Sequence, residues 1–97
     1  MKFQYEAERI YAEDEAGRLL AEVTLPVKDG VANITHTFVD DSLRGQGVAA
    51  LLMEAAVNNI RERNLKAKLT CSYAIKWFES HTEHYDLLYG SCDANRR

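Results

Sequence analysis

From Leu19 to Val27 every odd position is apolar, and Glu22 and Thr24 lie between them. That two-residue alternation predicts a half-buried strand. Lys28-Asp29-Gly30 reads as a hairpin turn with glycine in the left-handed position. Val31 to Val39 follows as a second strand rich in β-branched residues, which would put Ile34, His36 and Phe38 on one face. Upstream, Phe3-Gln-Tyr5 and Arg9 to Glu13 are shorter strands, with Asp14-Glu-Ala-Gly17 as a turn. The period changes after Asp40. A polar loop, Asp40 to Gly47, leads into a helix over Val48 to Arg63, where Glu54, Asn58, Arg61 and Glu62 form one narrow polar stripe. So narrow a stripe predicts a helix lying across a sheet. Asn64 is the expected stop. Lys66 to Cys71 alternates again, Ser72 is placed to cap a second helix through Trp77 and Phe78, and Ser80 to Leu88 adds a further helical turn or two. Gly90 to Arg97 reads as a frayed tail. Strands, helix, strand and helix in that order make an α+β domain.

Composition adds bounds to this picture. The chain has 97 residues, 46% hydrophobic and 28% charged, enough for one globular domain over 1–97. Its longest apolar run, Val48 to Met53, is far short of a membrane span, and the polar start carries no secretory signal. A soluble, cytoplasmic domain is expected, with no membrane partner. Cys71 and Cys92 are too few for a disulfide framework and lack the paired spacing of structural zinc. A net charge of −3 argues against nucleic acid. The charge is uneven: residues 1–43 hold nine acids and four bases, while Arg61, Arg63, Lys66, Lys68 and Lys76 cluster later, suited to one small anion.

Arg44-Gly45-Gln46-Gly47-Val48-Ala49 sits between a strand and a helix. The first helical N–H groups have no intrahelical partner, and with the dipole they attract an anion. Two glycines remove the Cβ atoms that would hold a phosphate off the backbone, and Arg44 adds a fork of donors. The residues alone leave two possibilities open, a phosphate cradle or a simple turn. A P-loop would need Gly-Lys-Ser/Thr where Gly47 is followed by Val48-Ala49. The spacing Gly45-x-Gly47-x-x-Ala50 satisfies the dinucleotide fingerprint, but its acidic residue is missing at Leu65-Lys66-Ala67-Lys68.

The hexapeptide resembles the Gln/Arg-x-x-Gly-x-Gly/Ala signature of the GNAT superfamily of N-acetyltransferases. His36-Thr-Phe-Val39 before it and Thr70-Cys-Ser-Tyr73 after the next strand are similar to small, stand-alone members, over about residues 8–89. The resemblance implies a minimal GNAT-like fold, a mostly antiparallel twisted sheet with two main helices, and acetyl-CoA as cosubstrate in a cleft between splayed strands. By motif, Arg44, Gly45, Gln46, Gly47, Val48 and Ala49 would hold the pyrophosphate. Phe38 and Val39 would lend backbone groups to the pantetheine arm, and the corner residues Ser72 and Tyr73 would complete the coenzyme A site. The implied function is acetyl transfer to an amine acceptor, small molecule or protein. The alternative is a non-catalytic CoA-binding or protein-interaction module, because the acceptor-binding N-terminal helices of full-size members have no room in this chain.

Transfer to an amine needs the amine deprotonated and the departing thiolate protonated. His36 is the candidate base by its ordinary pKa; packing between Ile34 and Phe38 is the alternative. Cys71 could carry the acetyl group covalently, with His36 as partner for its thiol, or it is a packed core thiol. Tyr73 and Tyr85 are candidate acids. His81-Thr-Glu-His84 shares a helix face but lacks a zinc-protease pattern, so no metal is expected. Trp77 and Phe78 read as core.

Overall fold

Residues 2–89 are described by the structure, a computed structural model; the predicted tail and Cys92 lie outside them. The strands are β1 (Gln4–Glu6), β2 (Arg9–Glu13), β3 (Leu19–Thr24), β4 (Val27–Lys28), β5 (Val31–Ile34), β6 (His36–Val39) and β7 (Lys66–Leu69). The helices are α1 (Val48–Glu62) and α2 (Ser72–Glu79). Short 3-10 segments cover Asp41–Leu43 and Thr82–Leu87. One sheet has the order β1-β2-β3-β6, antiparallel throughout; the other runs β4-β5-β7, and its β5–β7 pair is parallel.

The two long strands expected at 19–27 and 31–39 are each cut in two. They remain one hairpin, closed by Asp29 (φ 54°) and Gly30 (φ 79°), the two positive φ values of a type I′ turn. Pro26 supplies no N–H and interrupts the first strand. Opposite it, Thr24 pairs in register with His36 while its carbonyl accepts from the Thr35 N–H. Two residues therefore face one, a β-bulge that bends the hairpin from one sheet into the other. The bulge also resets side-chain parity. Ile34 stays buried, but His36 and Phe38 turn to the outer face and Thr37 and Val39 to the helix side, which corrects the expectation that Ile34, His36 and Phe38 share a face.

Helix α1 buries Val48, Leu52, Met53, Ala56, Val57 and Ile60. Their helical spacing makes one broad apolar face, which lies against β2, β3, β6 and β7. The exposed stripe holds Glu54, Asn58, Arg61 and Glu62 as expected, headed by Leu51. Asn64 (φ 58°) ends the helix, with Leu65 N–H to Ile60 O and Asn64 N–H to Arg61 O satisfying the last carbonyls. Ala74, Trp77 and Phe78 of α2 join the same core beside α1. Both helices thus cover one side of the sheets.

Candidate functional site

Strands β5 and β7 run side by side until Thr70 and Cys71, whose N–H groups both reach the Ile34 carbonyl at 3.0 Å. Beyond that point they part. Strand β6 follows β3, while the chain after Cys71 turns into α2. The result is a V whose open end faces the N-terminus of α1. A cleft of about 450 Å³ fills it, lined by Thr37, Val39, Gly45, Gly47, Ala50 and Tyr73.

The loop at the mouth is tied down at its start. Asp40 Oδ2 accepts from Ser42 N–H (3.0 Å) and Ser42 Oγ (2.5 Å) and pairs with Arg18 Nη2 at 2.6 Å. The Arg18 guanidinium first, then the two Ser42 donors, hold the Asp40 carboxyl well below the usual carboxylate range. Gly45 (φ 83°) and Gly47 (φ 74°) are both left-handed, where L side chains are strained. A Cβ at either would meet nothing within 4 Å, so open space lies above the loop. Gly47 precedes the first turn of α1, and among the described residues the N–H groups of Val48, Ala49 and Ala50 find no backbone partner. Free donors, a positive helix end and open space fit a diphosphate. Arg44 and Gln46 are placed less directly. The Arg44 Nε lies 2.7 Å from Asp41 Oδ1 with both side chains exposed, and Gln46 Nε2 donates to Ser42 O at 3.4 Å. An exposed pair of this kind is weak enough to yield to a phosphate.

Alternation along β6 decides what its backbone offers. The Asp40 N–H to Leu20 O bond sets Phe38 and His36 toward β3, which leaves the N–H and C=O groups of Thr37 and Val39 at the open edge. Of the two residues expected to lend backbone groups, Val39 faces the cleft, and Thr37 takes the place given to Phe38. Thr37 was missed by sequence reasoning because no residue pattern announced the bulge.

Thr37 also meets the thiol. Its Oγ1 is 3.5 Å from Cys71 Sγ, a half-buried atom. Burial pushes the Cys71 thiol up, but the Thr37 hydroxyl and the backbone N–H groups of Ala74, Tyr73 and Thr37 more than offset it, so the group titrates below its ordinary value. Cys71, not Ser72, is the residue at the cap of α2; Ser72 is the first helical residue and is exposed. His36 points to the other face of β6, exposed, so Thr37 rather than His36 touches the sulfur. Tyr73 lines the cleft, and burial raises its phenol, which therefore stays protonated at neutral pH. Tyr85 packs against the core on the Thr82–Leu87 segment, away from the cleft lining. One expected result follows. Alkylation of Cys71 by iodoacetamide, followed against pH, has its midpoint below that of a free cysteine, and Thr37→Val moves it upward. A midpoint identical in both proteins would show that Thr37 does not favour the thiolate.

Three of the five clustered bases are not beside the loop. Arg61 is held by Asp86 (2.9 Å), Arg63 by Ala7 O (3.0 Å), and Lys66 by Asp86 O (2.8 Å), all at the C-terminal end of α1. That is roughly 20 Å from the glycines at 1.5 Å per residue, so these charges do not serve the anion site. His81 stacks on Trp77 with centroids 3.8 Å apart and its Nδ1 donates to Trp77 O (2.7 Å), and His84 lies parallel at 5.7 Å. Both imidazoles belong to this aromatic stack.

Comparison with known proteins gives findings of three kinds. The sequence model of the family described as GCN5-related N-acetyl-transferase matches residues 9–88. The NMR solution structure of a GCN5-like protein from Staphylococcus aureus superimposes with a TM-score of 0.74 at 36% identity, covering 92% of this chain and 88% of that one. The ribosomal-protein-S18-alanine N-acetyltransferase of Escherichia coli shares the fold at TM-score 0.62 and 22% identity, over 79% of this chain and 53% of that one. Among curated proteins, Protein NATD1 of Mus musculus is 39% identical over 51 residues, 53% of this chain and 46% of the relative. Protein NATD1 of Homo sapiens matches at the same identity over 45% of its length. The chain spans about half the length of the curated relatives it matches.

Proposed function

The chain belongs to the GCN5-related N-acetyltransferase family, and from that premise we propose that it transfers the acetyl group of acetyl-CoA to an amine. The observation that carries this reading is the V between β6 and β7, opening onto a left-handed glycine loop and unpartnered helix N–H groups. Gly45 to Ala49 would receive the pyrophosphate, with Arg44 released from Asp41 to join it. The free edge of β6 at Thr37 and Val39 would pair with the pantetheine amides, much as a strand would. Acetyl-CoA supplies an activated thioester. His36, on the outer face beside the bulge, takes the proton from the incoming amine. Tyr73 holds a proton at its phenol oxygen for the departing sulfur. The cleft contributes most by holding both reactants in one orientation.

A second reading is favoured by one observation: among the described residues no helix covers the outer face of either sheet, where an acceptor would be enclosed. On that reading the chain is a CoA-binding module. The two separate by experiment. Isotope-labelled acetyl-CoA incubated with amine pools should yield labelled N-acetyl products, with free CoA released above the hydrolysis rate. Saturable CoA binding without any acceptor-dependent release would identify the module. Work inside the cell, apart from nucleic acid and membranes, is part of the same proposal.

A further inference from the structure

A second cavity, of about 510 Å³, lies on the side of the β4-β5-β7 sheet turned away from the helices, lined by Lys28, Asp29, Val31, Asn33 and Lys68 among others. Ala32, Ile34 and Ala67 point into the core, so Val31, Asn33 and Lys68 form the opposite surface. The volume is that of a small-molecule site. Among the described residues neither lysine is ion-paired, whereas Arg9, Arg18, Arg44 and Arg61 each have a carboxylate. Across the V, the outer face of the other sheet is acidic. Glu6, Glu13 and Glu22 share it with one base, Arg9, which sits 2.8 Å from Glu22 and 3.6 Å from Glu6. His36 lies where the acidic and basic halves meet.

We propose that the acceptor is an amine that also carries a carboxylate, its nitrogen at the V and its anionic end over Lys28 and Lys68. This rests on the acetyltransferase reading above. A protonated amine is drawn to the acidic half before it loses its proton, and the carboxylate gains two unpaired ammonium groups. At a strand rise of about 3.3 Å per residue, Lys68 stands about 7 Å from Thr70 and about 10 Å from Cys71. That is the span from amine to carboxylate in an extended tripeptide.

Triglycine and triglycine amide present the same amine with and without the carboxylate. In acetylation assays with acetyl-CoA, triglycine should show kcat/KM at least about tenfold higher, the effect of a charge-assisted contact. In the Lys28→Gln/Lys68→Gln double variant the preference should fall to near one, while the rise in melting temperature on adding CoA persists. A ratio near one in the wild type, or a ratio that survives the double substitution, overturns the proposal. If neither probe turns over measurably, backbone amide shifts of Val31, Asn33 and Lys68 in CoA-saturated protein decide. Saturable movement with triglycine alone supports it, and equal or no movement with both overturns it. A protein whose melting temperature ignores CoA fails the acetyltransferase reading itself and takes this proposal with it.

Discussion

CoA is expected to raise the melting temperature of the wild-type chain, and Gly47→Glu is expected to abolish the rise. A ligand at about 100 times its dissociation constant stabilises a native state by about 2.7 kcal/mol. For a domain of this size that is roughly 10 °C or more. Gly47 is the position where the loop turns left-handed (φ 74°) directly before the unpartnered N–H groups of α1. Glutamate there places bulk and negative charge where the phosphates must approach. The substitution also strains the backbone, by about 1–2 kcal/mol for an L residue at positive φ. Gly47→Asn separates the two effects, since asparagine tolerates the left-handed region and carries no charge. It should leave a reduced but measurable rise. A Gly47→Glu protein that folds and still responds fully to CoA would place the pyrophosphate elsewhere.

Loss of the base is the second large effect. His36→Ala should lower acceptor-dependent turnover by about 10²–10⁴-fold with CoA binding intact, and Cys71→Ala should keep most of the activity. The geometry favours this division. His36 is exposed on the outer face of β6, where the proposed acceptor would arrive, while Cys71 lies inside the V against Thr37. Cys71 is nevertheless a competitor, because the Thr37 hydroxyl and three backbone N–H groups favour its thiolate. In the covalent route its sulfur attacks the thioester carbonyl, CoA leaves as the thiolate, and the amine then displaces the thiol. Intact mass after incubation with acetyl-CoA alone distinguishes the routes. An acetyl adduct at Cys71 that amine discharges would overturn direct transfer. Full turnover in His36→Ala and Cys71→Ala alike would leave orientation as the site's whole contribution.

Much of the fold was legible because local physics determined it. The alternation at Leu19–Leu25 placed β3, the apolar face from Val48 to Ile60 placed α1, and Asn64 ended it where a left-handed residue was expected. The glycine loop was legible too, since positive φ values at Gly45 and Gly47 are what glycine permits. What stayed hidden depends on partners distant in sequence. The bulge at Thr35 arises from the pairing with Thr24 and leaves no residue signature, so His36 and Phe38 were expected on the face of Ile34 and lie on the opposite one. The basic run at Arg61 to Lys66 looked available until Asp86 and Ala7 were found against it. The charge count could see the bases but not the partners that occupy them.

The parallel pairing of β5 with β7 governs the order in which the molecule is built. The β1–β2 and β3–β6 pairs close short connections, whereas Val31 can meet Lys66 only when the intervening chain, α1 included, has been drawn into a loop. Loop-closure entropy makes such non-local pairings late steps in folding. The V exists only once that register is set, so the proposed coenzyme site is expected to be the last part of the domain to mature. Folding intermediates that already contain the meander and helix would have no place for CoA, and binding would act on the final step alone, slowing unfolding rather than speeding folding.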